Sequence, residues 1–402
     1  MSKKNKNKIV FARHTFWWNF YRPIVWFIAV FRGYKSKSRL HMKKGESYII
    51  LCNHQTDLDG VLLGLSFSRP FCGLTSDSFF SKGWQARMFT HQLGIIPKKK
   101  GVVDIKSNMD MIRCIKEGGS LLIFPEGNRT YAEFQFPFTD GFAKFVRFFK
   151  KPIVLFNIHG GNGCYPRFAG KKRKGPYYGE IKRILKPEEY ENWSDDKLND
   201  VIKDGLKVYD SESGEFYKSK HKAEYLERML FVCPKCGKVQ TLFSKGNHLT
   251  CSNCGLDVKF NEDLHLTSKN PEFKFNRLID WYNFQINYIK NLEIKDETIF
   301  NDSNVTLYIS NPGKKRKVVA KGDLSITKDK IKFVDKEFDV SDIEIASPIS
   351  GTKFNFSTSS ENYLVVGDDR FNPLKYVLLL NKLDSKMKLE KKDIYYTLEE
   401  RK

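Results

Sequence analysis

Hydrophobic and polar positions along this chain fall into two regimes. As far as about residue 220, short apolar runs alternate with stretches of helical spacing, and beyond about Asn304 the period drops to two. In the first regime Ser47–Cys52 is an apolar run rich in β-formers. Polar residues suited to a turn follow it, and a helix is expected over Asp59–Leu65. Phe79–Gln92 reads as a second helix stopped at Leu93-Gly94, and Gly94–Lys100 as a short extended run closing on three lysines. Asp104–Gly118 has helical spacing through Ile105, Met109, Ile112 and Ile115, with Gly118-Gly119 as the stop. Ser120–Phe124 and Lys151–Ile158 are expected to be buried strands, with a helix over Phe142–Phe149 between them. Gly160–Pro176 is a loop rich in Gly, Lys and Arg, expected near the mouth of a site or against a membrane. Strands alternating with helices imply an α/β domain with a mixed sheet flanked by helices. Lys186–Lys220, charged and helical in composition, is expected to end it.

Ahead of this domain lies an aromatic stretch, Phe16–Phe31, interrupted by Asn19, Arg22 and Pro23. Its unbroken part, Ile24–Phe31, is far short of the roughly 20 residues that span a bilayer. Basic residues flank it, tryptophans sit where an interfacial belt would place them, and no small-residue cleavage site follows. A monotopic segment lying in the headgroup layer is expected, on the cytoplasmic face of a membrane; a helix packed on the protein's own core is the competing reading. The net charge of +22 over 402 residues adds an anionic partner surface, phospholipid or nucleic acid, without choosing between them.

Two strand-to-turn junctions carry candidate chemistry. Asn53-His54 stands at the expected end of the first strand, where α/β proteins keep working residues. Asp59, five residues after His54, could bond one imidazole nitrogen and leave the other as a general base, although an isolated H-x4-D has little specificity. Asp57 is assigned to solvent or helix capping. At the second junction, Pro125-Glu126-Gly127-Asn128-Arg129 sets an acid, a flexible glycine and a guanidinium within four residues. The glycine permits close backbone approach and Arg129 suits a forked contact with phosphate oxygens. An ordinary turn with an internal Glu–Arg pair is the plain alternative.

Taken together, Asn53-His54-x4-Asp59 and Phe124-Pro125-Glu126-Gly127-Asn128-Arg129 resemble the first and third motifs of the glycerolipid acyltransferases, particularly the 1-acyl-glycerol-3-phosphate acyltransferases. Asn128 replaces the usual small hydroxyl residue. Gly94–Lys100 corresponds to the second motif, with Lys where Arg is common, and in the fourth Pro152 remains while Leu155 stands at the second proline. The four blocks keep the family's order along roughly residues 45–215. The resemblance implies transfer of an acyl group from acyl-CoA or acyl-carrier protein to the hydroxyl of lysophosphatidic acid, giving phosphatidic acid. His54 would be the base, Asp59 its orienting partner, and Lys100, Glu126, Gly127 and Arg129 would hold the acceptor. No G-x-S-x-G is present, and Cys52, inside an apolar strand, is expected to be core and not nucleophile.

Four of the eight cysteines form Cys233-x2-Cys236 and Cys251-x2-Cys254, each pair followed by glycine. This spacing points to a structural zinc ribbon with four thiolate ligands and to a reducing compartment. Further on, helical spacing runs over Phe273–Leu292. Strands are expected at Asn304–Ser310, Val318–Lys321, Leu324–Thr327, Ile331–Val334, Asp342–Ala346, Lys353–Ser357 and Asn362–Gly367, with a closing helix over Asn372–Leu383. Seven strands and one helix resemble a pleckstrin-homology or GRAM-like barrel, by architecture alone. The expected division is 1–45 tail and interfacial segment, 46–215 acyltransferase domain, 225–265 zinc ribbon, 270–295 connecting helix and 300–390 β-rich domain. The competing function is another lysophospholipid acceptor or, in a different class, a nucleic-acid-binding module, which leaves the His54 and Glu126 blocks without a purpose.

Overall fold

In the computed structural model the described residues are 11–76, 88, 90–98, 104–133, 135, 138, 141–311 and 315–383. The chain forms two compact units that cut across the expected divisions. Unit 1 comprises residues 1–129, 135–160 and 176–208, and unit 2 residues 130–134, 161–175 and 209–402.

Unit 1 is built on a seven-stranded mixed sheet. Its strands are β1 (Tyr34–Ser36), β2 (Ile49–Cys52), β3 (Cys72–Ser76), β4 (Ile96–Lys98), β5 (Leu121–Ile123), β6 (Ile153–His159) and β7 (Tyr177–Leu185), in the order β1-β7-β6-β2-β5-β3-β4. All neighbours are parallel except β6 and β7. Successive side chains of a strand face opposite ways, and both faces here are apolar. Ile49 and Leu51, with Ile153 and Leu155, join a core closed by α3 (Ile105–Lys116), α4 (Phe142–Phe148) and a helix over Asp195–Leu206. Ile50, Cys52, Val154, Phe156 and Ile158 are buried as well, and Phe156 meets Phe67 at a centroid distance of 5.7 Å.

Where a helix over Asp59–Leu65 is expected a single turn, α2 (Asp59–Leu62), follows β2, and the N-terminal segment is one helix, α1 (Phe11–Arg32), running through Pro23. Proline removes a single intrahelical donor, here on an exposed position, and the helix continues past it. His14, Trp18, Val25 and Ala29 form its buried stripe, and a side chain at Gly64 would collide with Trp18. The opposite faces show Phe16, Phe20, Ile24, Trp26, Phe27, Val30 and Phe31 to the outside. The packed reading holds for the buried stripe, while the remaining faces are exposed and largely aromatic. Among the described residues no helix is long and apolar enough to cross a membrane.

Three expectations need correction in unit 1. Helix α3 has Asp104 as its N-cap, but Ile105 and Met109 lie outside at 70% and 57% exposed, while Ser107, Met111 and Cys114 face in. Strand β7 was not anticipated; its charged, Gly-containing sequence hides a strand that pairs with both β6 and β1. Lys186–Lys220 is helical only at Pro187–Tyr190 and Asp195–Leu206, apart from a short turn at Asp210–Glu212. The expected helix Phe79–Gln92 lies largely outside the described residues.

Unit 2 holds a four-stranded antiparallel sheet, β8 (Leu242–Lys245), β9 (His248–Cys251), β10 (Asp257–Phe260) and β11 (Leu266–Thr267). A helix follows at Leu278–Asn291, burying Leu278, Ile279, Trp281, Tyr282, Ile286 and Ile289. The last part is a seven-stranded antiparallel sheet, β12 (Phe300–Ile309), β13 (Lys317–Ile326), β14 (Lys330–Phe333), β15 (Lys336–Asp339), β16 (Ile345–Ser350), β17 (Lys353–Ser357) and β18 (Asn362–Val366), closed by a helix at Pro373–Leu383. Its order is β15-β14-β13-β12-β18-β17-β16. The runs expected at Val318–Lys321 and Leu324–Thr327 are one strand, β13, and the mostly polar β15 supplies the remaining one. Residues 161–175 of the expected loop belong to unit 2, where Arg167 donates to the Pro348 carbonyl and Arg228 to that of Phe168.

Candidate active site

Strands β2, β5 and β6 are parallel neighbours, with Leu51 level with Ile123 and with Leu155. Two residues past Leu51 comes Asn53, and three past Ile123 comes Glu126, so both junctions leave the same edge of the sheet on adjacent strands, about 4.8 Å apart. The Asn53 amide fixes this edge. Its Nδ2 donates to the Ile158 carbonyl at 2.9 Å and its Oδ1 accepts from the Ile158 amide at 2.8 Å, extending the ladder by a side chain.

His54 follows, about a fifth exposed at 21%, with Phe124 stacked against its ring at 4.2 Å and 23°. Its Nδ1 lies 3.0 Å from Oδ2 of Asp59, which is wholly buried. The same Oδ2 accepts from the Gln55 amide at 2.6 Å and the Thr56 amide at 2.8 Å. Oδ1 accepts from the Thr56 hydroxyl at 2.5 Å and from the Tyr177 hydroxyl at 3.4 Å, and the two hydroxyls are 2.9 Å apart. Burial, with the Asp59 charge beside it, pushes the Tyr177 phenol far above its ordinary range and keeps it a donor. Bonded to Nδ1–H, the Asp59 carboxylate leaves Nε2 as the basic atom of the ring.

The second junction turns tightly: the Gly127 amide donates to the Phe124 carbonyl at 3.0 Å. Gly127 has φ +64°, the left-handed region that side chains resist, with nothing within 4 Å of where a Cβ would stand. Glu126 is buried and Arg129 half-buried. Thus His54, Asp59, Glu126, Gly127 and Arg129 share one sheet edge, whereas Lys100 lies outside the described residues. Asp57 is exposed and faces Arg32 at 3.5 Å. Cys52 is fully buried, and burial pushes its thiol well up, which suits a core residue and not a nucleophile.

Sequence reasoning missed Thr56, Tyr177 and the stacking of Phe124 on His54. Thr56 was within reach of it, since Thr-x-x-Asp is the spacing of a capping box. Tyr177 comes from the unanticipated strand, 118 residues from Asp59, and only tertiary pairing brings it here.

In unit 2 the sulfurs of Cys233, Cys236, Cys251 and Cys254 all lie within 4.8 Å of one another. Cys233 and Cys254 are 3.6 Å apart and Cys236 and Cys251 3.8 Å. Four thiolates around a tetrahedral metal at 2.3 Å would be separated by about 3.8 Å, so the residues fit such an ion. Both knuckles turn alike: the Gly237 amide donates to the Cys233 carbonyl at 2.9 Å and the Gly255 amide to that of Cys251 at 3.0 Å, with both glycines at positive φ.

Comparison with known proteins bears on unit 1. Residues 33–158 match the family model described as Acyltransferase. No curated protein matches the chain. Among solved structures it is similar to the 1-acyl-sn-glycerophosphate (LPA) acyltransferase PlsC from Thermotoga maritima, at 17% identity over 42% of this chain and 69% of that one, with a TM-score of 0.35. The family match runs from β1 through β6, the stretch that carries His54, Asp59 and the Glu126–Arg129 turn.

Proposed function

We propose that the protein moves a fatty acyl group from an acyl thioester, acyl-CoA or acyl-carrier protein, to the free hydroxyl of 1-acyl-glycerol-3-phosphate, giving phosphatidic acid. The observation that carries this reading is the His54 Nδ1 to Asp59 Oδ2 contact of 3.0 Å, made to a carboxylate with no exposure. Nε2 of His54 takes the proton of the acceptor hydroxyl as its oxygen attacks the thioester carbonyl. The carbon–sulfur bond then breaks, and the leaving thiolate recovers that proton from the imidazolium. Asp59 stabilises the charged ring, and no acyl-enzyme forms. Arg129 and Lys100 bind the acceptor phosphate, and the Glu126-Gly127 turn shapes its pocket. The open space at Gly127 supports this role.

Acceptor and product both reside in membranes, and the exposed aromatic face of α1 supports attachment to an anionic phospholipid surface at the cytoplasmic side. Trp26 and Phe27 are 60% and 68% exposed, and tryptophan favours the headgroup layer. Replacing both with serine is expected to weaken binding to phosphatidylglycerol vesicles at least tenfold in a sedimentation assay. The four cysteines would hold one structural zinc, which supplies folding energy that a ribbon of this size lacks. Native mass spectrometry is expected to show one zinc per chain, lost in Cys233→Ser. The strand order and closing helix of β12–β18 support the pleckstrin-homology or GRAM-like analogy.

The purified protein, given a panel of acyl donors and lysophospholipid acceptors, is expected to form phosphatidic acid from lysophosphatidic acid fastest. Faster acylation of an uncharged or zwitterionic acceptor would overturn the substrate assignment and leave acyl transfer standing.

A further inference from the structure

Unit 2 contains a buried cation whose donors outnumber its acceptors. Arg173 is 4% exposed, and its guanidinium stands near the rings of Phe168 and Phe260, at 5.5 and 5.0 Å from their centroids. Nη2 donates to the Lys222 carbonyl at 2.6 Å, while the buried Nε and Nη1 have no hydrogen-bond partner. Among the described residues no carboxylate forms an ion pair with it, and burial draws the group down to about 9. Ring faces offset part of the cost of such a charge, and an anion within reach would offset more.

The side chain lines a narrow cavity together with Phe168, Phe260, Leu264, Asn162 and Glu133. Neither nearby acid serves as counter-ion. Glu133 spends one oxygen on the Ser211 amide at 2.8 Å and the other on the Ser211 hydroxyl at 2.5 Å. Asp210 turns an oxygen to the amides of Asn162 and Gly163, at 3.1 and 3.2 Å. Phe168, Phe260 and Leu264 offer no side-chain acceptor, and the Asn162 amide in the lining carries no charge. A water could take up two of the four unused N–H bonds and would leave the charge uncompensated.

We propose that Arg173 is the floor of a small-anion site, sized for chloride or a formate-like carboxylate and independent of the acyl-transfer reading. A bound anion would join the 161–175 segment to ribbon strand β10 through the ring of Phe260. The site is narrow, so a phosphate monoester or a bulky carboxylate is excluded on size.

The test is thermal unfolding of the full-length, zinc-loaded protein at constant ionic strength, titrated with chloride or formate against gluconate. Chloride and formate are expected to raise Tm saturably by roughly 2–4 °C and gluconate not to. Arg173→Met is expected to show no response. Equal responses to all three anions, or a response retained in Arg173→Met, would overturn the site. Anomalous diffraction from bromide-soaked wild-type crystals decides the matter even if the variant does not fold. Bromide against the guanidinium supports the proposal, and a water in its place sinks it.

Discussion

Asp59 in unit 1 and Arg173 in unit 2 are both charged side chains out of reach of water, 0% and 4% exposed. Their surroundings differ in kind. Asp59 accepts from two backbone amides, two hydroxyls and an imidazole, all from residues 54–56 and 177. Arg173 gives one bond to a carbonyl and lies between aromatic rings. A fully satisfied charge is rigid before substrate arrives, which is what a catalytic orienter requires. A partly satisfied one asks for a further group, and the cavity beside it is where that group would go.

The contrast can be broken at four points, in falling order of expected effect. Asp59→Asn keeps the shape but presents an amide to Nδ1 and to two backbone amides. It is expected to lower kcat by about 10²–10⁴ while leaving KM within a few-fold, measured by initial rates. A kcat within threefold of wild type would remove Asp59 from the mechanism.

Next comes Glu133, whose carboxyl burial and the neighbouring Asp210 charge raise to about 7. The folded state therefore holds a proton that the unfolded chain releases in the ordinary carboxylate range. The stability this provides is present below that range and is lost as pH rises through about 7. Unit 2 is expected to lose on the order of 1–3 kcal/mol between pH 5 and pH 8. Glu133→Gln, which mimics the protonated acid, should flatten that slope in urea titrations. The Arg173→Met anion response ranks third. Smallest is Tyr177→Phe, expected to cost about 0.5–1.5 kcal/mol of stability and only a few-fold in kcat, because Asp59 keeps its other donors. A loss as large as that of Asp59→Asn would make Tyr177 part of the chemistry.

Much of unit 1 was legible because its strands are short apolar runs ending in polar turns, and His54, Asp59 and the Glu126–Arg129 turn sit on those turns. The cysteine spacing announced its cluster for a similar reason: ligand chemistry is local in sequence. What escaped was set by tertiary partners. Strand β7 carries Glu180, Lys182 and Arg183 among its nine residues, so alternation is masked, yet pairing with β6 and β1 makes it a strand. Ile105 and Met109 match a helical stripe, but the helix turns Met111 and Cys114 to the core instead. Segments 130–134 and 161–175 lie inside the span expected to form the first domain and pack in unit 2, a placement that no periodicity encodes.

The central claim is that Asp59 works only through the imidazole it holds, with that imidazole as the base. A double-mutant cycle on acyl transfer to lysophosphatidic acid, comparing His54→Ala, Asp59→Asn and the two combined, tests it most directly. The expected result is a double variant no slower than His54→Ala alone, itself down by at least a thousandfold. Losses that multiply independently, or a His54→Ala enzyme that keeps its rate, would contradict it.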